Sequence, residues 1–347
     1  MLRVGIIGVS GYAGEKLLQI LLKHPQVKIT YLAAKLDEKQ NISRLFPYLN
    51  GKLDLECDNT LDKKKAVELC ELLFLALPHT VSMQFAPDLL ANGRRVIDLS
   101  ADYRLEDKDA YESFYKAEHT DKVNLKKAVY GLPEIYRSKI KASRFIANPG
   151  CYPTAAILAL VPLLKNRLIN PDSVIIDAKS GYSGAGREAT ANAKGEILGN
   201  FKAYKVNVHQ HMPEINQELS RISGRQVKVV FVPHILPIEN GILETIYVRR
   251  VKKSPSSRGP KKVKNNNLIA LYKKFYAGEP FVRILGEGKL PQIKDVVDTN
   301  FCDIGIKEDK DMLIVIAAID NLLKGASGQA VQNMNIMYKF PEATALL

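Results

Sequence analysis

Val4-Gly5-Ile6-Ile7-Gly8-Val9-Ser10-Gly11-Tyr12-Ala13-Gly14 stands almost at the start of the chain. The apolar run Val4 to Ile7 has the length of a buried strand. Glycines at intervals of three follow, and Glu15 to Lys23 then carries Leu17, Leu18, Ile20, Leu21 and Leu22 as the apolar face of a helix. Strand, glycine loop and helix in this order suit the pyrophosphate of a dinucleotide. The glycines let the backbone turn and approach, and the helix N-terminus offers amides and a positive dipole end. The usual spacing is GxGxxG and here it is GxxGxxG, so the position of the loop carries the reading more than its spacing. Gly8, Ser10, Gly11, Tyr12, Ala13 and Gly14 are the candidate cofactor contacts; a tight turn without a ligand is the competing reading.

The rest of the first 150 residues alternates in the same way. Val27 to Ala33 reads as a strand, and Leu72 to Leu77 as another that ends at Pro78. A helix is expected over Val81 to Ala91 and a strand over Arg95 to Leu99, with Glu106 to Val123 irregular. Short apolar strands alternating with helices predict a parallel, doubly wound sheet. Lys35 follows the second strand, where an acid would bind the ribose hydroxyls of NAD and a cation suits the 2′-phosphate of NADP. Pro78 and His79 follow the third strand at the end where ligands collect; His79 also suits a helix cap or a plain surface position.

Asn148-Pro149-Gly150-Cys151-Tyr152-Pro153-Thr154 lies between the apolar runs Phe145 to Ala147 and Ala155 to Leu164. It reads as strand, tight turn, cysteine, helix. A thiol at a helix N-terminus is favoured as the thiolate, the form that attacks acyl carbons. From spacing alone a small buried cysteine that only packs is an equal reading. Beyond it the pattern changes: a helix over Pro153 to Lys165, then Ser173 to Lys179, Gln226 to Val232, Ile242 to Arg250 and Met312 to Ile319 as strands of a mixed, largely antiparallel sheet. Leu268 to Tyr276 and Leu322 to Tyr338 read as helices.

A chain of 347 residues exceeds one core, so two domains are the default. Hydrophobic content of 46% and charged content of 25% fit a globular enzyme. No apolar run approaches the ~20 residues that span a bilayer, and the short glycine-containing start is a strand rather than a signal peptide. Cys57, Cys70, Cys151 and Cys302 are scattered, with no metal-ligand spacing, which predicts no metal and a reducing, cytoplasmic setting. Much of the net charge of +13 lies between Arg249 and Lys264, a stretch broken by Ser, Pro and Gly and free of acids and aromatics. That is an exposed loop without a stacking platform for bases, so nucleic acid is not indicated; an anionic ligand or acidic protein is the remaining partner class.

Taken together, the chain resembles the N-acetyl-γ-glutamyl-phosphate reductases, the arginine-pathway branch of the semialdehyde dehydrogenase family. The resemblance runs through Gly8 to Gly14, Leu75-Ala76-Leu77-Pro78-His79, Ile97 to Arg104, Tyr130-Gly131-Leu132-Pro133-Glu134 and Asn148 to Thr154. It continues through Ser180 to Arg187, His209-Gln210-His211-Met212-Pro213-Glu214-Ile215, Thr299 to Asp303 and Asp320 to Ala330. It implies a Rossmann-type NADP-binding domain made of 1–150 and 321–347, and a catalytic and oligomerisation domain over 151–320. It also implies Cys151 as nucleophile, His211 as the base, and Asn321 and Gly325 in a segment that lines the cofactor. A homodimer or homotetramer built through the second sheet follows from the same resemblance.

The implied oxidoreductase chemistry agrees with the residues. Cys151 thiolate would expel phosphate from an acyl phosphate, and hydride from NADPH would bring the thioester to the aldehyde. Ser180 to Arg187 is a loop of glycines and hydroxyls suited to phosphate or to the cofactor, with Ser180 and Arg187 set toward substrate and Ser183 and Gly184 toward the cofactor. Arg104, Asn148, His209 and Glu214 are further candidate substrate contacts. Arg104 could instead form an ion pair with Asp102, and His209 could be a structural hydrogen-bonder. One departure stands out: Asn240 occupies a position where the family usually has arginine. With the basic loop, it raises an acyl phosphate attached to a small acidic carrier protein as a second substrate reading. Aspartate-semialdehyde dehydrogenase and a non-catalytic dinucleotide sensor are also compatible with the fold; the sequence around Cys151 argues against the first, and Cys151 with His211 against the second.

Overall fold

The computed structural model of the protein describes residues 1–187, 190, 199–251 and 265–347. Its contacts divide the chain into two units, Met1–Pro149 with Ala326–Leu347, and Gly150–Gly325.

The first unit is built on strands β1 (Leu2–Ile7), β2 (Val27–Ala33), β3 (Gln40–Asn41), β4 (Glu56–Asp58), β5 (Leu72–Leu75), β6 (Arg95–Asp98), β7 (Val129–Tyr130) and β8 (Phe145–Ala147). Their order is β3-β4-β2-β1-β5-β6-β8-β7. Pairing is parallel throughout except between β3 and β4. Every residue of β5 is buried, as expected of a strand covered on both faces. The Tyr12–Leu22 helix buries Leu17, Leu18, Ile20 and Leu21, each contributing roughly 1.5–3 kcal/mol of apolar burial. The winding reverses at β1, which pairs with β2 on one side and β5 on the other; ligands of such sheets collect at this switch point. The C-terminal segment returns as the Gly328–Met337 helix, buried along its whole length.

The second unit holds β9 (Ile175–Ser180), β10 (Lys202–Ala203), β11 (Val230–Ile235), β12 (Ile242–Arg249), β13 (Val282–Ile284), β14 (Cys302–Asp309) and β15 (Met312–Ile319), in the order β10-β11-β9-β12-β15-β14-β13. β11 with β9 and β13 with β14 are parallel and the other pairs antiparallel. The fold class read from the sequence is the one observed.

The Cys151–Lys165 helix crosses this sheet and is buried from Tyr152 to Leu164. That explains its apolar run from Ala155 to Leu164, since a helix segment apolar all round must be covered all round. Pro162 sits inside it and has no N–H to give the carbonyl of Leu158. The hydroxyl of Tyr276 takes that place, donating to Leu158 O at 2.5 Å, and Tyr272 donates to Ala159 O at 2.5 Å.

Several elements differ from the expectation. The helix predicted from Val81 is a 3-10 turn, Ser82–Gln84, followed by a helix over Ala86–Ala91. Pro87 lies in that helix's first turn, where a missing N–H costs little. The segment read as irregular contains helices Lys108–Tyr115 and Lys122–Leu125, capped by the side chains of Asp107 and Asp121. β14 is absent from the expectation although Cys302, Ile304 and Ile306 alternate with Asp303, Gly305 and Lys307; it forms a hairpin with β15. The last helix is entered through a π turn, Leu323–Ser327. Of the basic stretch, Lys252, Lys253, Arg258, Lys261, Lys262 and Lys264 lie outside the described residues. Among the described residues no helix is long and apolar enough to cross a membrane.

Candidate active site

Cys151 is the first residue of its helix, and Gly150 before it is the N-cap, which brings no capping side chain of its own. A helix N-terminus favours negative charge on a thiol placed there. Gly150 is tied down from both sides. Its carbonyl accepts from Thr154 N and Oγ1, and its N–H donates to Glu214 Oε1 at 2.9 Å. Glu214 is buried in the Met212–Ser223 helix, whose N-cap is His211. A Cβ built on Gly150 would lie 2.6 Å from His211 Nε2, so the imidazole sits directly on the backbone that precedes the cysteine. A Cβ on Gly325 would lie 2.7 Å from Cys151 Cβ; only glycine lets the π turn pack against Cys151. Turns of this kind recur at functional sites.

His209 stands behind His211. Its Nδ1 accepts the N–H of His211 at 3.0 Å, and its Nε2 lies 3.4 Å from the Tyr204 hydroxyl, which lies 3.3 Å from that of Tyr152. The rings of Tyr152, Tyr204, Phe231 and His211 meet His209 edge-on. Burial raises both tyrosine hydroxyls, Tyr204 to about 12, so both keep their protons. Sequence reasoning misses Tyr152 and Tyr204; Tyr152, next to the cysteine, offers the one local signal.

Beside them, the loop after β9 is fixed by its own backbone. Gly181, Tyr182 and Ser183 donate to Gly241, Ile238 and Glu239 carbonyls. Ser183 Oγ donates to Asn240 Oδ1 at 2.7 Å and accepts from Asn321 Nδ2 at 2.8 Å, while Asn321 Oδ1 accepts Gly241 N at 2.7 Å. Asn240 is thus turned onto Ser183. Ser180 is buried and donates to Gly181 O; Gly184 and Arg187 are exposed.

In the first unit, Gly8 has φ +89°, and a Cβ there would lie 2.2 Å from Ala76 O; one on Gly14 would lie 2.2 Å from Gly8 O. These glycines let loop, helix and the end of β5 close on one another. At Gly11 a Cβ would meet only Gly8 O, at 3.6 Å. Gly11 is also the N-cap and brings no side chain of its own to the start of the helix. An open cradle in front of the first helix amides fits a dinucleotide pyrophosphate. Lys35 is exposed and, among the described residues, makes no ion pair, whereas Lys39 and Lys65 nearby are paired with Glu56 and Asp58.

Arg104 and Asn148 are buried and bound to backbone and amide groups. Arg104 Nε donates to Asn148 O at 2.7 Å and Nη2 to Leu99 O at 2.6 Å. Asn148 Nδ2 donates to Ala326 O and its Oδ1 accepts from Asn333. Asp102 accepts instead from the N–H groups of Thr80 and Met83 and from the Tyr111 hydroxyl. The candidate residues therefore fall into two sets. Gly8 to Gly14, Lys35, Pro78, Arg104 and Asn148 belong to the first unit. Cys151, Ser180, Ser183, Gly184, Arg187, His209, His211, Glu214, Asn321 and Gly325 belong to the second.

A parallel sheet with a glycine cradle at its switch point, in a chain whose second unit places a cysteine at a helix N-terminus, fits a dinucleotide-dependent dehydrogenase. Residues 3–143 match the family described as "Semialdehyde dehydrogenase, NAD binding domain", and residues 151–321 that described as "Semialdehyde dehydrogenase, dimerisation domain". The N-acetyl-gamma-glutamyl-phosphate reductase of Pelotomaculum thermopropionicum is 48% identical over 347 residues, covering 99% of this chain and 97% of that one. That of Geotalea daltonii is 47% identical over 350 residues, covering 100% and 98%. The chain belongs to the semialdehyde dehydrogenase family, in its N-acetyl-γ-glutamyl-phosphate reductase branch. Aspartate semialdehyde dehydrogenase II of Vibrio cholerae shares the fold, with a TM-score of 0.71 at 15% identity over 98% of both chains.

Proposed function

We propose that the protein reduces N-acetyl-γ-glutamyl phosphate to N-acetylglutamate 5-semialdehyde and phosphate with NADPH, a step of arginine biosynthesis. The single observation that carries the mechanism is Cys151 at a helix N-terminus, with the His211 imidazole against the residue before it.

His211 takes the thiol proton, and Sγ of Cys151 attacks the acyl carbon. A C–S bond forms, the C–O bond to phosphate breaks, and phosphate leaves with the electron pair. The helix amides around Cys151 stabilise the oxyanion that forms in between. Gly8 to Gly14 with Pro78, and Lys35 toward the 2′-phosphate, would hold NADPH, which would supply the hydride. From the reduced, sulfur-bound carbon His211 takes the hydroxyl proton, the C=O re-forms, the C–S bond breaks and Cys151 departs as thiolate. Glu214 keeps Gly150 in place, and His209 holds the backbone of His211. Ser183, Gly184, Asn321 and Gly325 are assigned to the cofactor, and Ser180 and Arg187 to substrate.

A second reading is favoured by Asn240, whose side-chain oxygen is engaged by Ser183 and which brings no charge to the site. It has the same chemistry on a substrate carried by an acidic protein, with the basic loop as docking element. The family description of the second domain and its sheet support a homodimer or homotetramer. One face of that sheet is buried, and the other shows Ile175 at 40% and Val230 at 42% exposure. Four cysteines, none of them in a disulfide and one of them the nucleophile, suit the reducing cytoplasm.

The test is the reverse reaction: N-acetylglutamate semialdehyde, phosphate and NADP⁺, followed by NADPH absorbance. Phosphate-dependent turnover is expected. NADP⁺ binding without turnover would overturn the free substrate in favour of the carrier-linked one.

A further inference from the structure

The geometry points to Asp102 as a positioning residue for the dinucleotide, acting through the loop Pro78-His79-Thr80; the inference rests on the cofactor reading above. Asp102 is fully buried. Its Oδ1 accepts Thr80 N at 2.6 Å and the Tyr111 hydroxyl at 2.7 Å, and its Oδ2 accepts Met83 N at 3.1 Å. Thr80 has φ +72°, a left-handed conformation that a β-branched residue adopts only when held. The residue before Asp102 completes the clamp: Ala101 N donates to His79 Nδ1 at 3.1 Å. An imidazole that accepts there is neutral and carries its proton on Nε2.

This loop leaves the C-terminal end of β5 beside the glycine cradle. Ala76 N donates to Ile7 O at 2.8 Å, and Ala76 O is the atom that a side chain at position 8 would strike. Pro78 and His79 are exposed at that edge. The carboxylate is the one side chain of its size that can serve here. Three donors converge on two oxygens, and an amide would turn an N–H toward one of them. With the clamp in place the loop is ordered before the cofactor arrives. Without it, ordering is deducted from the binding affinity.

The test uses the full-length protein and the variants Asp102→Asn, Tyr111→Phe and Thr80→Gly. In the absence of cofactor, hydrogen exchange at the Thr80 and Met83 amides should be slow in the native protein and faster in Asp102→Asn and Tyr111→Phe. NADP⁺ affinity should fall about tenfold in Asp102→Asn and about threefold in the other two. KM for NADPH should rise with kcat at saturation nearly unchanged, and the alkylation rate of Cys151 should not move. A purely structural Asp102 would lower the melting temperature and leave KM and affinity alone, and that result overturns the inference. If Asp102→Asn does not fold, Tyr111→Phe decides, because it removes one bond to Asp102 and leaves the carboxylate in place; unchanged affinity in that variant also overturns the inference. Native protein that fails to bind NADP⁺ would instead overturn the cofactor reading itself.

Discussion

Glu214 accepts the N–H of Gly150 at 2.9 Å, so a buried carboxylate holds the residue that precedes Cys151. The bond joins the N-terminal turns of two helices, the one led by Cys151 and the one led by His211. Glutamine can still accept from Gly150 and alanine cannot. We expect Glu214→Ala to lower kcat by about 10²-fold and Glu214→Gln by less than about tenfold. Steady-state kinetics beside a thermal melt would check this; equal losses in the two variants would put the role in the charge rather than the hydrogen bond.

Cys151→Ser replaces the proposed nucleophilic thiol by a hydroxyl that is not ionised at neutral pH. Phosphate-dependent oxidation of the aldehyde should fall by at least about 10³-fold while NADP⁺ still binds. Turnover near the native rate in this variant would remove the covalent route.

Lys35 carries an ammonium without an ion pair among the described residues, just beyond the end of β2. Lys35→Glu should weaken NADP⁺ by about tenfold or more and NAD⁺ far less. Titration with both cofactors measures the ratio; the same loss for each would mean that Lys35 does not meet the 2′-phosphate.

Asp98 is fully buried, and desolvation together with the neighbouring Asp102 carboxylate pushes its pKa from 3.8 up to about 7; the hydrogen bonds from Ser100 N and Oγ pull the other way. The folded state therefore holds this proton where the unfolded chain has lost it. Stability is lost as pH rises from about 4 to about 7. Asp98→Asn lacks that slope and should gain on the native protein, by on the order of 1–4 kcal/mol, between pH 4 and pH 8. Urea unfolding at the two pH values tests it, and parallel pH dependences would show that Asp98 is ionised throughout.

Tyr276→Phe leaves Leu158 O buried with no donor, because Pro162 cannot supply one. A loss of about 1–3 kcal/mol is expected, read as a shift in the denaturation midpoint. An unchanged midpoint would mean that another donor reaches this carbonyl.

What the sequence by itself determined is local. Strand, glycine loop and helix at Val4 to Leu22, and strand, turn, cysteine and helix at Phe145 to Lys165, were legible because periodicity and turn chemistry act over a few residues. The parallel class of the first sheet followed from the alternation of such units. Only the tertiary structure decided where the polar groups point. Arg104 could be set against Asp102, two residues away, yet its guanidinium reaches Asn148 O. His209 could be read toward substrate, yet its nitrogens face the His211 backbone and Tyr204. Asn240 finds Ser183, and Tyr276 finds Leu158, across 57 and 118 positions of sequence. A buried donor or acceptor must be satisfied by whatever the fold brings within about 3 Å, and no local pattern encodes which group that is.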